Sequence, residues 1–264
     1  MATCELLKGT RPLLISMPHQ GIELPEVMMA QVTAVTKTLP DTDWHLKRLY
    51  DFARHMGVSL IWPHYSRYVI DLNRPADNTN LYPGANSTEL CPTSTFASEP
   101  IYLPGSEPDE TEVAHRLEHY WQPYHSELQH ELARIKAQCG VAVLFEAHSI
   151  RSVVPRFFEG QLPDLSIGTS SGVSCNKDLQ SAVEQSISSQ QKYSTAVNQR
   201  FKGGYITRTY GQPAQGVHAL QLELAQHCYM NEEYPFTYLP ERAKHIQSVL
   251  QQLVTTLLHW AEQQ

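Results

Sequence analysis

Two histidines stand where apolar runs stop. Residues 141–150 read VAVLFEAHSI, which has the composition of a buried strand and delivers His148 and Ser149 at its end. Residues 13–17 form a shorter apolar run closed by Pro18; His19 follows, and Gly21 allows a tight turn. In open α/β sheets the working site lies beyond the carboxyl ends of the strands, and imidazole is the commonest metal-binding side chain. Each histidine taken alone has an ordinary alternative, a hydrogen-bonded ring at a strand end or in a loop. Two such events in one chain point to convergence. Asp41 and Asp43 precede a helical repeat. One of them can cap that helix, which leaves the other free to join two histidines as the third ligand of a catalytic zinc site. Such a site keeps a position for water and lowers its pKa to about 7.

Glu223 is the acid–base candidate. It lies near the end of residues 217–224, VHALQLEL, where a carboxylate is costly unless it is paired or has its pKa raised. It would take a proton from the attacking water and pass it to a leaving nitrogen. A salt-bridged strand glutamate is the alternative. Cations crowd the same stretches. Arg67 and Arg74 flank the run 67–72, with Asn73 between run and arginine. Arg151 follows the His148 strand, and Lys202 and Arg208 surround the pair Gly203-Gly204. Guanidinium groups suit bidentate contacts to carboxylates, although surface ion pairs account for most arginines. The set describes metal-assisted amide hydrolysis of a small acidic molecule. No local zinc motif supports it, because HExxH is absent and Ile22 stands where an HxxE pair would need its glutamate. The case rests on residues far apart in the chain.

The elements that must bring these residues together are legible from periodicity. Leu46, Leu49, Tyr50, Ala53 and Met56 repeat at helical spacing up to Gly57. Residues 58–62, 67–72 and 163–168 read as strands, and 176–191 as a modest helix. Residues 75–108 are rich in Pro, Gly, Asn, Ser and Thr and read as a wall or lid of the site. A long helix starts at Ser106 or Asp109 and runs to Gly140, with Pro123 expected to kink or split it. A second amphipathic helix spans 240–262. Strands alternating with helices give a single α/β domain, a sandwich with a mixed sheet. A formal charge of -7 argues against nucleic acid, and no apolar run reaches the roughly 18 residues of a membrane span. The N-terminus lacks the apolar core of a signal peptide. The five scattered cysteines contain no CxxC pair and read as reduced thiols of a cytoplasmic protein, not as a disulfide frame or a cysteine-based zinc site.

Several ordered segments resemble the N-formylglutamate amidohydrolases. They are PHQG at 18–21, DTDWHLKRLYDFA at 41–53, YSRYVIDLNRP at 65–75, LYPG at 81–84, EAHSIRS at 146–152, FKGGYITR at 201–208 and LQLELAQ from Leu220, with Tyr229-Met230. The resemblance spans nearly the whole chain. It implies cleavage of N-formyl-L-glutamate to formate and L-glutamate in histidine degradation. It also implies a three-layer α/β/α sandwich with a mixed central sheet, of the zinc-exopeptidase (phosphorylase/hydrolase-like) type related to carboxypeptidases. Zn²⁺, with Co²⁺ or another divalent ion as the alternative, would be held by His19, His148 and Asp43, with Asp41 and Glu23 as substitutes for the last. Asn73 and Arg74 match a pair that grips a substrate α-carboxylate, assisted by Arg67, and Glu223 matches the general base. Arg208 or Arg151 would meet the second carboxylate. Two other readings remain: a zinc amidohydrolase or exopeptidase for another N-acyl acidic amino acid, and a non-catalytic dicarboxylate-binding protein.

Overall fold

The computed structural model describes residues 2–81, 84 and 86–264. Tyr82 and Pro83 of the LYPG segment therefore lie outside the described residues. In chain order the elements are β1 (Cys4–Leu7), β2 (Leu13–Ser16), α1 (Glu26–Met29), α2 (Leu46–Leu49), α3 (Phe52–His55), β3 (Ser59–Pro63), α4 (Glu110–Arg116), α5 (Gln122–Cys139), β4 (Ala142–Ile150), β5 (Leu165–Gly168), α6 (Lys177–Ser188), β6 (Thr195–Val197), α7 (Tyr205–Tyr210), β7 (Val217–Ala225) and α8 (Pro240–Ala261). The strands form one sheet in the order β1-β3-β2-β4-β7-β5-β6. Neighbours from β3 through β2 and β4 to β7 run parallel, whereas β1 and β5 run antiparallel to β3 and β7. The sheet is mixed, and its centre is three adjacent parallel strands, β2, β4 and β7.

Alternation along the central strands divides the core in two. Val143, Phe145 and Ala147 of β4, with Leu220, Leu222 and Leu224 of β7, pack under α2, α3, α6 and α8. Ala142 and Leu144, with Ala219, face α5 and α7 on the other side. Helices thus cover both faces, the three-layer arrangement that near-continuous apolar strands require. On the α5–α7 face the pattern turns polar towards the strand ends. There β4 continues into Glu146 and His148, and β7 into Gln221 and Glu223, all buried.

Two elements differ from the periodicity. The helix expected after Asp43 is broken into α2 and α3, and His45, at φ 64, opens α2 without a side-chain cap. Neither aspartate caps a helix, because both carboxylates are engaged elsewhere. The run 67–72 is not a strand. It is a buried turn in which the Val69 N–H donates to Ser66 and the Asp71 N–H to Leu90. Its apolar residues fill the core without strand partners, Tyr68 and Val69 among Met28, Val32 and Ile101. The long helix behaves as Pro123 demands. Asp109 caps α4 by accepting from the Glu112 N–H at 2.8 Å, and a π turn at Leu117–Trp121 separates α4 from α5 just before the proline.

Candidate active site

His19, His148 and Glu223 come from the carboxyl ends of β2, β4 and β7, adjacent parallel strands, so their side chains reach one hollow. His148 and Glu223 are register partners across β4 and β7. The turn that carries His19 is held tight by Gly21, where an added Cβ would lie 2.0 Å from the Tyr65 carbonyl oxygen. Asp43 enters from the segment before α2, its backbone N–H donating to the His19 carbonyl at 3.0 Å.

The two rings are oriented from behind. His19 Nε2 lies 2.7 Å from Asp71 Oδ1, and His148 Nε2 lies 2.9 Å from Glu146 Oε1. Each backing carboxylate is itself fixed. Asp71 accepts from Arg67 Nη2 at 2.7 Å and from the Asn73 N–H at 2.9 Å. Glu146 accepts from the Thr207 hydroxyl at 2.7 Å. Both Nδ1 atoms therefore turn towards Asp43 Oδ2, His148 at 3.2 Å and His19 at 3.9 Å. That oxygen also takes the Ser149 N–H at 3.0 Å. His19, Asp43 and His148 offer ligand atoms within 4.8 Å of one another, all buried. A carboxylate behind a ligating imidazole fixes its tautomer and raises its basicity.

The two rings differ in charge. Burial is the largest influence on His19 and, helped by Arg67, lowers its pKa below the ordinary value, so the ring is neutral with Nδ1 open. Burial opposes ionisation of Asp71, yet His19 and Arg67 outweigh it and hold that carboxyl well below the usual range. At His148 burial disfavours the charged ring, but Glu146 and Asp43 overcome it and raise the pKa well above the ordinary value. A dication beside Nδ1 would supply the positive charge that this proton otherwise provides. Two nitrogens and one carboxylate oxygen are the donor set of a catalytic zinc site.

Glu223 is buried and lines the same hollow, whose volume is about 730 Å³ counting its open mouth. Burial pushes its pKa up to about 8; His148 lowers it and Asp43 raises it. Arg67, Asn73 and Arg74 also line the hollow, and Asn86, Ser87 and Phe96 from the segment 75–108 form one wall. Arg74 donates to the Thr88 carbonyl and hydroxyl at 3.0 and 3.2 Å, which aims it along that wall. Asn73 is held by the Ile206 N–H at 2.9 Å and approaches His148 Nε2 at 3.1 Å. The glycine pair serves this contact. A Cβ on Gly204 would stand 2.3 Å from Asn73 Nδ2, and the Gly204 N–H donates to Gln221 at 2.7 Å.

Other residues singled out from the sequence stand elsewhere. Asp41 accepts from the Tyr68 hydroxyl at 2.6 Å and the Phe96 N–H at 2.8 Å, so it anchors the wall. Glu23 is exposed and pairs through its backbone with Tyr65. Arg151, Lys202 and Arg208 are not among the lining residues; Lys202 is exposed, and Arg208 Nε donates to the Gly203 carbonyl at 2.8 Å. The hollow instead contains Arg200, whose Nε is buried without a hydrogen-bond partner among the described residues. Asp71 and Glu146 also escaped the sequence reading. The signal for Glu146 is its two-residue offset from His148, which puts both on one face of the strand. Nothing local marks Arg200.

A family model described as N-formylglutamate amidohydrolase matches residues 11–230. An N-formylglutamate deformylase of Pseudomonas aeruginosa is 47% identical over 256 residues, which is 97% of this chain and 96% of the relative. One from Pseudomonas putida is 48% identical over 253 residues, 96% of this chain and 94% of the relative. The crystal structure of an N-formylglutamate amidohydrolase from Ralstonia eutropha superposes with a TM-score of 0.81 at 24% identity, covering 99% of this chain and 98% of that one. It shares the fold.

Proposed function

The chain belongs to the N-formylglutamate amidohydrolase family, and from that premise we propose that it hydrolyses N-formyl-L-glutamate to formate and L-glutamate. We read residues 1–264 as one metallohydrolase domain acting in cytoplasmic histidine degradation. The observation that carries the reading is the convergence of both Nδ1 atoms on Asp43, beside a buried Glu223. His19, Asp43 and His148 would hold Zn²⁺ or Co²⁺. Bound there, such an ion supplies Lewis acidity towards the formyl oxygen and a water of lowered pKa.

Everything else falls to the side chains. Glu223 takes the proton of the attacking water as the new C–O bond forms. It then delivers that proton to the amide nitrogen as the C–N bond breaks, so formate and the free amine leave. A carboxyl with a pKa near 8 is largely protonated at neutral pH, and positive charge at the neighbouring cluster restores its ionised form. Arg74 and Asn73 bind the α-carboxylate, with Arg67, oriented by its pairing with Asp71, lining the hollow beside them. Arg200 takes the side-chain carboxylate, since a buried guanidinium N–H without a partner gains most from an incoming anion. Phe96 and Phe201 on the walls limit the acyl group.

The test is formate release by the purified, zinc-loaded protein from N-formyl-L-glutamate, compared with acetate release from N-acetyl-L-glutamate. We expect turnover of the formyl compound to exceed that of the acetyl compound at least tenfold, and to vanish on chelation and return with Zn²⁺ or Co²⁺. Equal turnover would favour a broader N-acyl amidohydrolase. Dicarboxylate binding with no turnover under any metal would leave a binding protein.

A further inference from the structure

A second group of metal-binding side chains lies outside the hollow. Asp164 immediately precedes β5, and His227 and Cys228 lie in the 3-10 turn that follows β7. The antiparallel pairing of β5 with β7 brings these ends together, and the Ala225 N–H donates to the Asp164 carbonyl at 3.0 Å. His227 Nε2 is 2.9 Å from Asp164 Oδ1, Cys228 Sγ is 3.5 Å from the same oxygen, and Sγ is 3.8 Å from Nε2. A tetrahedral zinc ion bound by nitrogen, oxygen and sulfur at the usual bond lengths sets its donors roughly 3.3–3.6 Å apart. The three atoms already stand within a few tenths of an ångström of that triangle.

The surroundings fix the donors and leave a way in. Asp164 Oδ2 accepts from the Ser194 N–H and hydroxyl, both at 2.8 Å, which presents Oδ1 to the cluster. All polar contacts of the His227 ring are on its Nε2 side, since Nδ1 is buried without a partner among the described residues. His227 keeps about a third of its side chain exposed and Asp164 less, so the cluster opens to solvent. The groove outside it is also lined by Glu241 and His245 of α8, and water can fill a fourth position.

The arrangement does not suit a cysteine nucleophile. A nucleophilic thiol and its orienting carboxylate must use opposite nitrogens of the imidazole. Here both face Nε2. Burial and the neighbouring Asp164 also raise the Cys228 thiol far above its ordinary pKa, against thiolate chemistry in the absence of a cation. We propose that Asp164, His227 and Cys228 form a second binding site for a thiophilic divalent cation of the Zn²⁺ type. Binding releases the thiol proton to solvent, and one thiolate, one carboxylate and a neutral imidazole then balance the charge of the dication. The site braces the turn after β7. Gln226 in that turn reaches the Thr42 carbonyl at 3.0 Å and the Ser149 hydroxyl at 3.4 Å, on the rim of the first cluster. The spacing of the cysteines gives no hint of it, because the ligands meet only through the sheet.

Cobalt distinguishes the two clusters, since the His19–Asp43–His148 set contains no sulfur. Metal-stripped full-length protein is titrated with Co²⁺ while bound metal and the near-ultraviolet thiolate-to-cobalt charge-transfer band are followed. The band should grow with one equivalent per chain. It should be absent in Cys228→Ser, which binds one equivalent less, and should need at least tenfold more Co²⁺ in Asp164→Asn. A His148→Ala variant should keep the band, so failure of the first site would not be mistaken for failure of the second. No charge-transfer band in the wild-type protein at several equivalents of Co²⁺, or a band undiminished in either the Cys228 or the Asp164 variant, would overturn the proposal.

Discussion

Asp71 and Glu146 decide what the two imidazoles can do. By receiving each Nε2–H they commit both Nδ1 atoms to the side of Asp43, so the nitrogen that would meet a cation is fixed before any cation arrives. Glu223 has no such hydrogen-bond partner among the described residues and is governed mainly by burial, which suits the proton-carrying role proposed for it. Glu223→Gln should keep its metal content and lower kcat by about 10²- to 10⁴-fold, the usual weight of general acid–base catalysis. Near-normal kcat in that variant, by steady-state assay with metal analysis, would refute the role. Arg200 is the corresponding test for recognition. Arg200→Met should raise KM for N-formylglutamate at least tenfold and shrink its preference over N-formylglutamine, because only the former carries the second anion. An unchanged ratio between the two substrates would place the side-chain carboxylate elsewhere.

At the level of elements, the hollow depends on backbone that no strand holds. The segment after Arg67 is pinned from α5 and its π turn, with His125 Nε2 donating to the Leu72 carbonyl at 2.9 Å and Trp121 to the Arg74 carbonyl at 3.0 Å. His125 is buried, and burial lowers its pKa to about 4. An unfolded histidine takes its proton near pH 6.5. Between those values the unfolded chain binds more protons, so stability is unaffected above about pH 6.5 and falls as the pH drops towards 4, by on the order of 3 kcal/mol. Denaturant unfolding across that range should show the decline, and His125→Gln should flatten it. From the other side α7 supports Asn73 through Gly204. Gly204→Ala would drive a methyl into the Asn73 amide, costing about 1–3 kcal/mol as overpacking does and lowering kcat/KM at least tenfold. An active, equally stable alanine variant would show that Asn73 tolerates displacement. The run 67–72 shows why sequence misled here. Its apolar residues are needed by the core, but alternation cannot tell a paired strand from a buried turn.

The whole molecule was more legible than its working parts. Near-continuous apolar strands of β4 and β7 and the stripe of α8 announced a sandwich with the site at strand ends. His19 and His148 stood out because each comes where an apolar run stops, Asp43 because it precedes a helical repeat, and Glu223 because it is a carboxylate in an apolar strand. Arg200 and Asp71 did not, since one lies in a loop and the other in a stretch mistaken for sheet, and their meaning exists only in three dimensions. A metal held by His19, Asp43 and His148 would join segments from β2, β4 and the approach to α2, so its binding would stabilise the folded chain alone. At a free ion concentration of about 100 times Kd this is worth about 2.7 kcal/mol, or roughly 5 °C in Tm for a chain of this length. Calorimetry of loaded and chelated protein should show a drop of that size, and identical Tm values would argue against a metal held in the folded state.

The central strands also order events during biosynthesis. His148 stands 105 residues beyond Asp43, and β7, which carries Glu223, emerges later still. A nascent chain stopped after β4 contains all three proposed ligands, His19, Asp43 and His148, but not Glu223. The three proposed ligands are thus synthesised before Glu223, but a chain truncated after β4 lacks β7, its neighbour in the sheet, and α8, which covers one face, so it would hold neither the fold nor the metal.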